Sequence, residues 1–102
     1  MIVDLNDGNF EELTNSGVTL VDFYADWCGP CKRMTPILNS VASKLKDRVK
    51  VAKVNVDTSP SLSARFGVRG IPMFALIKDG KLVKKVTGSK AETELINFAT
   101  SN

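Results

Sequence analysis

The stretch from Val18 to Ala25, Val-Thr-Leu-Val-Asp-Phe-Tyr-Ala, is apolar at both odd and even positions. An alternating strand buries one face. A strand apolar on both faces needs cover on both, as a central strand of an α/β sheet has. The run leads into Trp27-Cys28-Gly29-Pro30-Cys31-Lys32, and that leads into a helical stripe of Met34, Ile37, Leu38, Val41 and Leu45. Both cysteines of the chain therefore fall where a buried strand becomes a helix.

The rest of the pattern fits around this strand. Ile2 to Leu5 reads as a short strand, and Asp7 is placed to cap a helix carrying Phe10 and Leu13, with Gly17 as its stop. Pro36 lies inside the second helix and should kink it. Val49 to Val56 is a valine-rich strand. Asp57 or Thr58 is expected to cap a short helix with Pro60 at its start and Gly67 at its end. Met73 to Lys78 and Lys81 to Thr87 flank Asp79-Gly80, a strong hairpin signal, and Ser89 can cap a last helix bearing Leu95, Ile96 and Ala99. The order β-α-β-α-β-α-β-β-α predicts the α/β class: a largely parallel sheet with helices on both faces and an antiparallel hairpin at one edge. Lys81, Lys84 and Lys85 suit an exposed edge guarded against strand addition.

With 102 residues, the chain is expected to be one domain, 1–102, and its 43% apolar content suffices for a core without a disulfide scaffold. No run is long enough to cross a bilayer, so no membrane association is expected, and the cytoplasm is the expected compartment. The charge is unevenly spread. Residues 1–31 carry six acids and no Lys or Arg, and all 14 basic residues follow from Lys32 onward. The basic residues lie within amphipathic segments and form no aromatic-interleaved cluster, which argues against a nucleic-acid partner.

Cysteines at i and i+3 in a first helical turn lie close enough to cycle between dithiol and disulfide with small backbone changes. The unpaired amides and dipole of the helix start favour a thiolate at Cys28. Cys31, deeper in the helix, should be less exposed, which makes Cys28 the attacking and Cys31 the resolving sulfur. Pro30 fits the first turn, where its missing N–H costs nothing. Two other readings exist. A structural disulfide closing so short a loop would contribute only roughly 2 kcal/mol. A zinc site needs four ligands, which two cysteines and no histidine do not supply within one chain. Neither a metal nor any other cofactor is expected.

Asp22 lies in the middle of the doubly covered strand, where a carboxylate is costly unless paired or neutral. Burial should raise its pKa and let it accept the proton of Cys31. Lys53, among the apolar residues of the next strand, is the candidate charge partner. Pro72, by its residues alone, reads as an ordinary strand-start proline.

Val21-Asp22-Phe23-Tyr24-Ala25-Asp26-Trp27-Cys28-Gly29-Pro30-Cys31-Lys32 resembles the active-site segment of the thioredoxin family. Val51 to Asp57, Gly67-Val68-Arg69-Gly70-Ile71-Pro72 and Gly88 match its later segments in order, so the resemblance covers essentially the whole chain. It implies the thioredoxin fold, a single central five-stranded mixed sheet flanked by four helices. It implies reduction of disulfides in client proteins by a monomer that a thioredoxin reductase restores. It also implies a cis Ile71-Pro72 bond against the cysteines and a client-binding surface of Trp27, Gly29, Pro30, Ile71, Pro72, Thr87 and Gly88. Tyr24, Met73 and Thr87 depart from the commonest family pattern near that surface, which bears on client preference. The Gly29-Pro30 pair resembles reductases, whereas oxidising relatives often have histidine there.

Overall fold

The computed structural model describes residues 1–101; Asn102, the last residue of the expected domain, lies outside them. The strands are β1 (Ile2–Leu5), β2 (Val18–Tyr24), β3 (Lys50–Asn55), β4 (Met73–Lys78) and β5 (Lys81–Thr87). The helices are α1 (Phe10–Thr14), α2 (Gly29–Arg33), α3 (Thr35–Leu45), α4 (Pro60–Arg65) and α5 (Glu92–Thr100). The strands form one mixed sheet in the order β1-β3-β2-β4-β5. β1, β3 and β2 run parallel, and β4 and β5 are antiparallel additions. β2 is thus the central strand, and five consecutive residues of it, Thr19 to Phe23, are buried.

The two faces of β2 feed two cores. On one, Leu20, Val51, Phe74 and Leu76 pack against Leu38, Val41 and Leu45 of α3 and Leu95 and Ala99 of α5. On the other, Val21, Phe23, Ala52, Val54 and Ala75 pack against Phe10 of α1 and Leu62 of α4, with Phe66 just beyond it. Phe66 lies 5.3 Å from the Phe10 ring and 5.8 Å from the Phe23 ring, tying the helices of this face to the sheet. Each fully buried side chain of this size contributes roughly 1.5–3 kcal/mol relative to exposure. Asp79 and Gly80 take φ values of 50° and 84°, as the two-residue hairpin turn requires.

Five local expectations are corrected. The helix expected after Cys31 is two helices, so the described residues hold five helices where four were expected. Pro36 has no N–H to give Lys32 O. The break falls at Met34, the last cap of α2 and the first of α3, whose N–H is shared between Pro30 O and Cys31 O, and Pro36 lies in the first turn of α3, where a missing N–H costs little. Asp7 does not cap α1, and neither Asp57 nor Thr58 caps α4. Instead Asp7 reaches across the chain and accepts from Ser61 N at 3.3 Å and Leu62 N at 3.0 Å, so it caps α4. Ser89 does not cap α5. That helix begins after Ala91, whose N–H donates to the Glu94 carboxylate at 3.0 Å. Two of the edge lysines are structural ties rather than free guards. Lys84 Nζ donates to Ser101 O at 2.6 Å and lies over the Phe98 ring, while Lys85 Nζ donates to Phe66 O at 2.8 Å, at the C-terminal end of α4. Among the described residues, no helix is long and apolar enough to cross a membrane.

Candidate active site

β2 ends at the C-terminal end of the parallel strands in the middle of the sheet, and Ala25-Asp26-Trp27 turns the chain into α2. Cys28 is the N-cap of α2 with extended backbone, and Pro30 lies in the first turn. The cysteines are joined as a disulfide with Cα atoms 5.2 Å apart. Cys31 N–H donates to Cys28 Sγ at 3.2 Å, so a backbone amide already points at the first sulfur. A negative charge on that sulfur would strengthen this bond. The cysteines are equally buried, each 5% exposed, so the expectation that Cys31 is the less exposed is not met.

Cys28 Sγ lies 3.9 Å from the carbonyl oxygen of Ile71. The Ile71–Pro72 peptide is cis. Pro72 O accepts from Gly88 N at 2.8 Å, and Thr87 pairs with Met73 at the end of the β4–β5 ladder. Gly88 has φ 104°, a conformation that favours glycine. The loop also presses on Thr87: a Cβ at Gly70 would stand 3.1 Å from Thr87 Cγ2. Cys28, Ile71-Pro72 and Thr87-Gly88 therefore form one row of neighbours drawn from three separate parts of the chain. Gly29 and Pro30 border it in the first turn of α2. Trp27 is 69% exposed beside Cys28, and its Nε1–H donates to Asp57 Oδ2 at 2.9 Å. That bond gives Asp57 a role missed in the sequence. Nothing in local spacing links residues 27 and 57.

A second side of the site is an open cleft of ≈ 540 Å³. Cys31, Asp22 and Lys53 all line it. Asp22 is only 4% exposed, and its Oδ1 finds no hydrogen-bond partner among the described residues. Burial pushes its carboxyl from the ordinary 3.8 up to about 7, and the positive charge of Lys53 partly offsets that rise. Lys53 is in register with Asp22 on the adjacent strand. Among the described residues no ion pair joins the two; Lys53 Nζ lies 5.1 Å from the centre of the Tyr24 ring instead. The lysine thus acts on Asp22 through its field rather than by contact.

The geometry is that of a paired sulfur site with the Ile71-Pro72 and Thr87-Gly88 row on one side and a buried carboxyl reached through a cleft on the other. The family model for thioredoxin matches residues 1–101. A thioredoxin of Haemophilus influenzae is 42% identical over 99 residues, covering 95% of this chain and 92% of that protein. A thioredoxin of Rhodospirillum rubrum is 39% identical over 100 residues, covering 96% of each. A thioredoxin of Staphylococcus haemolyticus is 44% identical over 94 residues, covering 92% of this chain and 90% of that protein.

Proposed function

The chain belongs to the thioredoxin family and is a thiol–disulfide oxidoreductase, and on that premise we propose that it is a general protein disulfide reductase of the cytoplasm. It works as a monomer on client proteins, and a thioredoxin reductase restores its dithiol. The observation that carries this reading is the Cys28–Cys31 pair at the start of α2, with Ile71 O beside one sulfur and the Asp22 cleft beside the other.

In the dithiol form, Cys28 is the nucleophile. Its place at the helix start and the Cys31 amide aimed at its sulfur favour the thiolate. The Cys28 thiolate attacks one sulfur of a client disulfide. A Cys28–client bond forms, the client bond breaks, and the departing client sulfur takes a proton. Cys31 is the resolving thiol. Asp22 accepts its proton, for which a carboxyl titrating near neutrality is well matched. The Cys31 thiolate then attacks Cys28 Sγ. The Cys28–Cys31 bond forms, the Cys28–client bond breaks, the second client sulfur leaves as a thiolate and takes up a proton, and the client departs as a dithiol. Two electrons have passed to the client, and the protein is left in the oxidised state seen in the structure. Lys53 moderates the charge on Asp22 during this step.

Trp27, Gly29, Pro30, Ile71, Pro72, Thr87 and Gly88 supply the surface that receives the client. An extended client segment beside Cys28 can pair with the Ile71 backbone in the manner of an added strand. The test is insulin reduction driven by a small dithiol. Wild type is expected to precipitate the insulin B chain, and Cys28→Ser to fall to the uncatalysed rate. Wild-type turnover by Cys28→Ser would remove Cys28 from the nucleophile role.

A further inference from the structure

The cleft beside Cys31 holds two acids that the exchange reaction has not used, Asp4 and Asp26, and one of them is aligned with Asp22. Asp4 of β1 is paired in register with Lys53 of β3, and Lys53 is paired in register with Asp22 of β2. Register partners in a parallel sheet point to the same face. The three side chains therefore form one row across three neighbouring strands, acid–base–acid, and all three line the same cleft. Strands lie about 4.8 Å apart, so the two acids are about 10 Å apart at the backbone with Lys53 between them. The ends of the row differ in setting. Asp4 is exposed, Lys53 half-buried and Asp22 buried.

We propose that Asp4 is a positioning residue of the exchange reaction: it competes with Asp22 for the charge of Lys53 and so keeps Asp22 ready to take the proton of Cys31. This rests on the reading of Asp22 as proton acceptor. The physical case is a balance of two fields. A lysine committed to Asp22 would hold that carboxyl as an anion, and an anion already formed cannot accept a proton at neutral pH. Lys53 is not so committed. Its Nζ stands over Tyr24 and makes no ion pair with either acid among the described residues. Nζ leans toward β2, over Tyr24 two residues along from Asp22, and a second carboxylate on its far side pulls against any closer approach to Asp22 and adds negative potential to a partly desolvated cleft.

The other groups on the cleft do not take this part. Asp26 and Lys32, from the loop after β2 and from α2, are exposed, of opposite sign, and outside the register row. Tyr24 supplies a neutral ring face, and α3 contributes only neutral side chains. Of the acids on the cleft other than Asp22 itself, Asp4 is the one in register with the lysine that Asp22 depends on.

The experiment is carboxyl-carbon NMR of the oxidised, aspartate-labelled protein, with the Asp22 signal assigned by Asp22→Asn. Asp4→Asn is expected to lower the midpoint of the Asp22 titration by roughly half a pH unit. In a Lys53→Gln background the same substitution should move it less than half as far, since the competition has been removed. Asp4→Glu keeps the charge and should keep the midpoint. An Asp22 midpoint unmoved by Asp4→Asn overturns the proposal. An equal shift with and without Lys53 overturns the route through the lysine. Asp4 is at the surface, so a merely structural effect would not move the midpoint and be undone by glutamate. These readouts need no client. The acceptor reading fails separately, if Asp22→Asn leaves the rate and pH profile of client release unchanged.

Discussion

Asp22→Asn should make the protein more stable at alkaline pH while leaving it about as stable at pH 4. Burial raises the folded carboxyl from 3.8 to about 7, and an unfolded chain would titrate near the ordinary value. Between those values the folded protein keeps a proton that the unfolded chain has released. Stability therefore falls as pH rises across that window and levels off above it. At roughly 1.4 kcal/mol per pH unit, ionising Asp22 inside the fold costs about 3–4 kcal/mol by pH 8. Asparagine has the shape of the protonated acid and carries no such cost. Urea unfolding of the oxidised wild type and of Asp22→Asn, at pH 4 and pH 8, measures it directly. The variant should gain about 3–4 kcal/mol relative to wild type between the two pH values, with the denaturant slope unchanged. The same difference at both pH values would mean that Asp22 titrates normally, and the argument from its burial would be wrong.

Two further outcomes follow from the site and the fold. Cys31→Ser should leave the first attack intact and trap the client on Cys28, seen as an adduct on a non-reducing gel that a dithiol reverses; no adduct would argue against the resolving role. Asp7→Ala should destabilise the protein by about 1 kcal/mol in urea unfolding, because Ser61 N and Leu62 N lose their acceptor; an unchanged midpoint would show that water replaces the cap without cost.

The elements that a local pattern specifies were legible. β2 betrays its central place by being apolar at both parities, β3 by its valines, and the β4–β5 hairpin by Asp79-Gly80, whose positive φ values the turn needs. The Cys28–Cys31 pair and its position at a helix start were equally local. What could not be read depends on contacts between distant residues. Asp7 looks like the cap of the helix that follows it, but its partners are Ser61 and Leu62. Asp57 looks like a helix cap and instead holds Trp27. The row of Asp4, Lys53 and Asp22 exists only because β3 lies between β1 and β2, which chain order does not announce. The equal burial of the cysteines is likewise a product of the Ile71-Pro72 loop folding over Cys28. Lys84 and Lys85 carry the charge of an edge strand, yet their long stems reach back to carbonyls at helix ends.

The central claim is that the Cys28–Cys31 pair works as a reductant. Its reduction potential, measured by equilibrating the protein with glutathione buffers and quantifying the dithiol fraction, tests this most directly. The account predicts a strongly reducing value near −270 mV, the general figure for thioredoxins and not a quantity worked out from this site. A value near −120 mV, typical of a protein that donates disulfides, would contradict it.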